Sequence, residues 1–262
     1  MKNFIMKISL TLTTCLVLLT GNILLAQNRF VEDGTIEFEK SVNTFAIMKR
    51  QLDLEKSMQA YLVPIFDQFK KTQPQFKTMK STLSFSKDKT LFEPIPETGK
   101  PMPVIIPNPI FDQNNTIYTD LSAGSSINQK VVFEQTFLVK DNARKIIWKI
   151  TDETRDIAGY SCRRANGLML DSVYIVAFYT VAIPVSGGPE SFSGLPGMIL
   201  GVALPHENVS WFATKVNAKT LPPLKIPTKG KVVNNKELQA TLESALKNRG
   251  TAAPIMIKAF QL

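Results

Sequence analysis

The chain has 262 residues, of which 44% are hydrophobic, and its 31 Lys and Arg outweigh 22 Asp and Glu to give a net charge of +9 at pH 7. One histidine and two cysteines exclude zinc centres that need several histidines or a cysteine cage. The basic residues are scattered singly and in pairs, which reads either as a lysine-rich soluble surface or as a patch for anionic lipid head groups or acidic glycans. Nothing resembles a nucleic-acid-binding motif.

Residues 1–26 read as a secretory signal. Lys2 and Lys7 form a basic n-region, residues 8–19 an apolar h-region, and the cut is expected after Ala26. The apolar stretch is short for a bilayer span, and no other stretch is long enough to cross. Loss of Lys2 and Lys7 leaves a charge of about +7. Cys15 departs with the signal, so Cys162 stands alone and no internal disulfide is expected in residues 27–262. Those residues are expected to form one β-rich domain.

Residues 31–38 predict an opening strand with Ile36 and Phe38 on one face. Between 43 and 69 the period changes to that of a helix, with Phe45, Met48 and Leu52 in one stripe and Leu54, Met58, Tyr61, Ile65 and Phe69 extending it. Pro64 is expected to end or kink this helix. The stripe reads as core or as a lid over an apolar cavity. From Thr78 the period falls to two, with Met79, Leu83 and Phe85 on one face of a strand. Residues 91–109 contain Pro94, Pro96, Pro101, Pro103, Pro107 and Pro109, and predict an extended surface excursion.

Further strands are predicted at 115–119, at 131–139 with Phe133, Phe137 and Val139 on one face, and around Ile146, Trp148 and Ile150. A turn is expected at Asp141-Asn142. Strands at 157–165 and 168–183 are separated by Asn166-Gly167, the strongest hairpin signal in the chain. Another strand covers 209–216. A second amphipathic helix carries Leu238, Leu242, Ala245 and Leu246, capped by Asn234 with Glu237 and stopped at Gly250. The expected fold is β-rich α+β: a single twisted antiparallel sheet or partial barrel packed against an N-terminal and a C-terminal helix.

The most specific stretch is 146–202. It holds Trp148-Lys149-Ile150, then Gly159-Tyr160-Ser161-Cys162, Ala177-Phe178-Tyr179-Thr180, Gly187-Gly188-Pro189, Phe192, and finally Gly194-Leu195-Pro196-Gly197-Met198-Ile199. This resembles the GLPGLI family of exported Bacteroidetes proteins, with Met198 in place of the usual Leu and Phe178 in place of Trp. The resemblance implies export and carries no activity onto these residues. The architecture is more distantly similar to the periplasmic lipoprotein carriers, which is fold-level analogy alone.

Read physically, Gly187-Gly188-Pro189 and Gly194-Leu195-Pro196-Gly197 make two tight turns, the first through positive φ at its glycines and the second of type II. They build either a structural corner or a pocket rim made of Tyr160, Tyr179, Phe192, Gly194, Leu195, Pro196 and Gly197. No catalytic, metal or cofactor residues are assigned. His206 has no nucleophile signature beside it. Cys162 reads as a buried hydrophobe, and Asp152, Glu153 and Asp156 as a solvated turn between strands. The expected protein is therefore an exported, periplasmic or secreted, non-enzymatic binder of an apolar ligand or lipidated client. The alternatives are an accessory interaction protein for an outer-membrane receptor, or an enzyme with an unrecognised site, for example a hydrolase using the carboxylates near Asp152.

Overall fold

The computed structural model describes residues 31–98, 103, 108–112, 115–170, 172–250 and 252–262. The expected signal segment, with its cleavage site, and much of the proline-rich excursion lie outside them. Twelve strands form one sheet: β1 (Asp33–Asn43), β2 (Phe76–Ser86), β3 (Lys89–Pro94), β4 (Asn115–Asp120), β5 (Ser125–Val132), β6 (Gln135–Asn142), β7 (Ile147–Ile157), β8 (Tyr160–Met169), β9 (Val173–Thr180), β10 (Met198–Leu204), β11 (Val209–Ala218) and β12 (Lys231–Val233). Five α-helices accompany it among the described residues: α1 (Thr44–Leu54), α2 (Gln59–Thr72), α3 (Pro109–Asp112), α4 (Asn235–Leu246) and α5 (Ala252–Gln261). The fold is β-rich α+β, as the pattern of periods predicts. The sheet is mixed rather than wholly antiparallel, because β12 pairs parallel with β6.

The spatial order is β12-β6-β5-β4-β3-β2-β1-β11-β10-β9-β8-β7. Two antiparallel meanders, β1 to β6 and β7 to β11, are joined where β11 pairs with β1. The link from β6 to β7 uses only residues 143–146, yet those strands lie near opposite ends of the order. A flat sheet would separate them by about 50 Å at roughly 4.8 Å per strand, whereas the link reaches at most about 18 Å. The sheet must curl back on itself. Among the described residues, no ladder joins β7 to β6 or β12, so it stays open as a partial barrel.

The interior is filled by one large cluster that includes Ile36, Phe38, Leu83, Phe85, Ile175, Phe192, Leu195 and Leu200. A second cluster, with Phe137, Val139, Val233, Leu238, Leu242 and Phe260, seats α4 and α5 on the β5-β6-β12 end. β10 is buried along nearly its whole length, consistent with its continuous apolar sequence.

Several local expectations are corrected. The N-terminal helix breaks at Glu55, not at Pro64, and a short 3-10 turn (Lys56–Met58) leads into α2. Pro64 sits on an exposed face with Ala60 exposed one turn earlier, so water can satisfy the carbonyl that loses its donor. The break leaves Leu54, Met58 and Tyr61 exposed, while Met48, Leu52 and Phe69 are core. Leu91 to Pro94, expected in the excursion, complete β3, with Leu91 and Phe92 buried. The predicted strand at 131–139 is two strands joined at Phe133-Glu134, both at positive φ. Residues 151–156 are not a turn but part of β7, irregularly paired between Ile150 and Thr154. The capping box of Asn234 and Glu237 forms as expected. Beyond Gly250, however, the chain starts another helix, α5.

Asn166-Gly167 is the clearest reversal. It lies inside β8, paired with Trp148 and Lys149 of β7. The hairpin turn is instead Ala158-Gly159, with φ of 50° and 83°, the type I′ geometry that suits twisted strands. Gly167 is there for space, since a Cβ would come within 2.8 Å of the Trp148 ring. The Trp148 indole Nε1 donates to the Ser193 carbonyl at 3.0 Å, so the ring pins β7 to the connection between β9 and β10. Gly167→Ala should therefore destabilise the protein by about 1–3 kcal/mol. Urea unfolding should show a lower midpoint at unchanged slope, and a Trp148→Ala background should remove most of the penalty.

Candidate functional site

The connection between β9 and β10, residues 181–197, carries the motif singled out in the sequence. It folds inward. Phe192 and Leu195 are almost wholly buried, and the Phe192 ring lies 5.8 Å from that of Trp211. The segment closes on itself through Gly194 N to Ser186 O (3.0 Å), Ser186 Oγ to Leu195 O (2.6 Å) and Ile199 N to Gly187 O (2.8 Å). Its glycines do not all act as expected. Only Gly194 has positive φ, at 95°; Gly187, Gly188 and Gly197 do not. Gly197 N donates to Leu195 O, making a γ-turn around Pro196 rather than a type II turn. Gly188 and Gly197 instead permit close approach: a Cβ on the first would meet Ile199 and Phe192 O, and on the second the Thr180 carbonyl.

Of the seven residues expected at a pocket rim, Tyr179, Phe192, Leu195 and Gly197 are buried, Tyr160 is half-buried, and Gly194 and Pro196 face solvent. They line none of the clefts described below. The positive φ expected of the first turn's glycines belongs to Glu190, at 50°. That conformation turns its carboxylate into the interior, where Asn115 Nδ2 donates to Oε2 at 3.0 Å. Burial pushes the Glu190 carboxyl above its usual range, opposed by Lys40, Asn115, Lys130 and Arg144. Lys40 Nζ donates to Ile110 O (3.0 Å) and Lys130 Nζ to Phe260 O (2.6 Å). This buried polar network had no sequence signal, because its members lie on three separate strands and two connections.

An open cleft lies elsewhere, among the end of α1, the β5-β6 turn and the start of α5. It has a volume of about 280 Å³ and is lined mainly by Leu54, Phe133, Ala252, Ile255 and Met256, with Gln51, Glu55 and Arg249 supplying polar groups. Gln51 is only 8% exposed, and its Oε1 has no hydrogen-bond partner. Phe133 is held at φ 47°, a conformation that costs a bulky residue roughly 1 kcal/mol or more. Its ring packs edge-on against Phe260 at 5.1 Å.

The cleft's α5 wall is tethered by a buried ion pair. Glu207, in the turn between β10 and β11, is 5% exposed and accepts from Lys258 at 2.7 Å and Arg50 at 3.0 Å. Burial raises its carboxyl, but the hydrogen bonds from Lys258 and Arg50 outweigh this and leave it lowered.

The groups weighed for catalysis stay apart. His206 lies in the same turn, its ring 6.3 Å from that of Tyr174. Cys162 is buried, and burial followed by the charge of Asp156 pushes its thiol up to about 11, which makes it a poor nucleophile. Asp152 pairs with Arg163 and Glu153 with Arg164 on the outside of the sheet. Among the described residues no group of three His, Cys, Asp or Glu could hold a metal, and no helix is long and apolar enough to cross a membrane.

Two outcomes follow. Glu207→Gln should cost about 2–3 kcal/mol of unfolding free energy, since it strips two cations of a buried partner; chemical denaturation measures it. Burial, then the charge of Arg144, pushes the Lys130 ammonium down to about 8 from 10.5. Between those values the folded chain is neutral at Lys130 while the unfolded chain is protonated. Stability at this group should therefore rise as pH goes from 8 towards 10.5. Thermal unfolding across that window should show the rise against Lys130→Met, which should lack it.

A family described as "Protein of unknown function (Porph_ging)" matches residues 167–201, from the end of β8 through β9 and the inward connection into the first half of β10. No curated protein sequence matches the chain. Among solved structures, PNGF-II in a P21 crystal form is 16% identical over 80% of this chain and 32% of its own, with a TM-score of 0.49. The same protein in a C2 form gives 14% identity over 79% and 32%, also at 0.49. An uncharacterized conserved protein from Thermus thermophilus gives 5% identity over 80% and 93%, at 0.38. The chain thus spans about a third of the length of PNGF-II.

Proposed function

We propose that this is an exported, non-enzymatic cell-envelope protein of the GLPGLI type that binds an apolar ligand or an acylated client. The site is the cleft between α1, the β5-β6 turn and α5, not the surface of the curled sheet, whose interior is already filled by the 181–197 connection. The observation that carries this reading is an apolar cleft with Gln51 in its wall, a side chain whose buried Oε1 lacks a donor. A buried acceptor without a donor costs about 1–3 kcal/mol, and a ligand's amide or hydroxyl would answer it if the side chain turned into the cleft. Leu54, Phe133, Ile255 and Met256 would take the chain. The volume of about 280 Å³ lies just below the usual range of ligand pockets, about 300–1,000 Å³, which suits a short acyl chain. The strain at Phe133 favours the same reading, since strained residues gather at ligand clamps.

Native mass spectrometry of the protein purified from its own envelope should show a stoichiometric apolar adduct, and the stripped protein should take up decanol, whose hydroxyl can donate. Phe133→Asn relieves the backbone strain, because Asn tolerates positive φ. It should leave thermal stability near that of the parent while weakening decanol uptake at least tenfold. A ligand-free protein that ignores added acyl chains would sink the proposal and redirect the search to a protein partner.

A further inference from the structure

A stretch of charge of one sign joins β11 to β12. From Asn208 to Lys236 the chain holds six lysines and no Asp or Glu. Lys215 is met by Glu37, its register partner across the β1-β11 ladder, and Lys236 is followed by Glu237. That leaves Lys219, Lys225, Lys229 and Lys231, all of them exposed. Among the described residues none of these four forms an ion pair.

The segment is an arm fixed at both ends. The Lys219 N–H donates to the Asp33 carbonyl at 3.2 Å, and Lys231 enters the parallel ladder opposite Phe137. Between them Leu221, Leu224 and Pro227 are half-buried and every other residue is exposed. Burial thus repeats every three residues, the turn of a polyproline II helix, and Pro222, Pro223 and Pro227 hold the φ that this helix needs. One face of the arm lies on the protein, and the rest, with Lys225, Ile226 and Lys229, is turned to solvent. Proline fixes the backbone in advance, so little freedom remains to be lost on contact.

Two large apolar side chains accompany the lysines: Ile226 is 49% exposed and Val232 60%. They decide the kind of partner. An acidic glycan would answer the charge and leave both side chains in water. A lipid surface answers both, because anionic head groups meet the lysines while apolar side chains enter the boundary with the acyl chains. We infer that residues 219–232 dock the protein on an anionic lipid surface. This surface is separate from the apolar cleft and does not depend on the ligand proposed there.

The probes are vesicles of phosphatidylcholine alone and vesicles in which one-third of the lipid is phosphatidylglycerol, each sedimented with the purified protein at low and high salt. The anionic vesicles should bind the protein, the uncharged ones should not, and added salt should release it. Each lysine near such a surface contributes about fivefold in affinity, so Lys225→Gln with Lys229→Gln should weaken binding about 25-fold. Lys70→Gln with Lys71→Gln, which removes the same charge from α2, should leave binding near that of the parent. Ile226→Ser should weaken vesicle binding while leaving retention on heparin, an acidic glycan, unchanged. All five positions are exposed, and circular dichroism with thermal unfolding confirms that the variants are folded. Equal binding to the two kinds of vesicle, equal loss in the two double variants, or an Ile226→Ser protein that binds vesicles like the parent would each overturn the assignment. The last of these, joined to lost heparin retention in Lys225→Gln with Lys229→Gln, would assign the arm to an acidic glycan instead. Decanol uptake by the same samples reads the apolar cleft separately, so either site can fail alone.

Discussion

Residues 143–146 impose the constraint on which the rest of the structure depends. A link this short cannot join strands at opposite ends of an extended twelve-stranded sheet, so the sheet must curl. A curled sheet encloses a volume, and close packing demands that the volume be filled. The 181–197 connection fills it from within, and Phe192, Leu195 and the buried start of β10 are its core contribution. The glycines follow from the same demand. Gly188, Gly197 and Gly201 sit where a Cβ would press on a carbonyl or a neighbouring side chain. The motif that stands out in the sequence is a plug, specified by packing.

With the interior filled, the open clefts form outside it, where helices meet the sheet. α5 lines two of them: Ala252, Ile255 and Met256 line the apolar cleft, and Gln261 a second, cation-rich one with Lys130, Arg144 and Lys236. Its position is set by contacts from four directions: Glu207 to Lys258, Lys130 to the Phe260 carbonyl, Arg144 to the Gln261 carbonyl, and Phe133 against Phe260. Charged and polar contacts thus add to the apolar packing of Ala259, Phe260 and Leu262 in fixing this helix.

The periodic elements were legible in the sequence and the special positions were not. Alternation at Met79, Leu83 and Phe85 and the capping box at Asn234 gave β2 and α4 directly. Turn chemistry misled twice, for opposite reasons. Asn166-Gly167 has the ideal turn sequence but is a strand, because Gly167 makes room for Trp148. Phe133-Glu134 has no turn sequence but is a turn, with both residues at positive φ and Phe133 lining the apolar cleft. A local rule broken at one residue often marks a site. The cation-rich cleft had no signal at all, since Lys130, Arg144, Lys236 and Gln261 converge only through the pairing of β5 with β6 and the packing of the last two helices.

Residues 219–230 run largely exposed and without regular structure between β11 and β12, punctuated by Pro222, Pro223 and Pro227. Everything before them already supplies eleven strands and the filled interior; everything after them supplies β12, α4 and α5. The molecule is therefore divisible at this point. A single backbone cut there would leave the C-terminal piece held by one short parallel ladder, the Glu207 ion pair, the hydrogen bonds from Lys130 and Arg144 to the Phe260 and Gln261 carbonyls, and apolar packing in both clusters. Release of that piece would dismantle both clefts in one event while sparing the eleven strands before it.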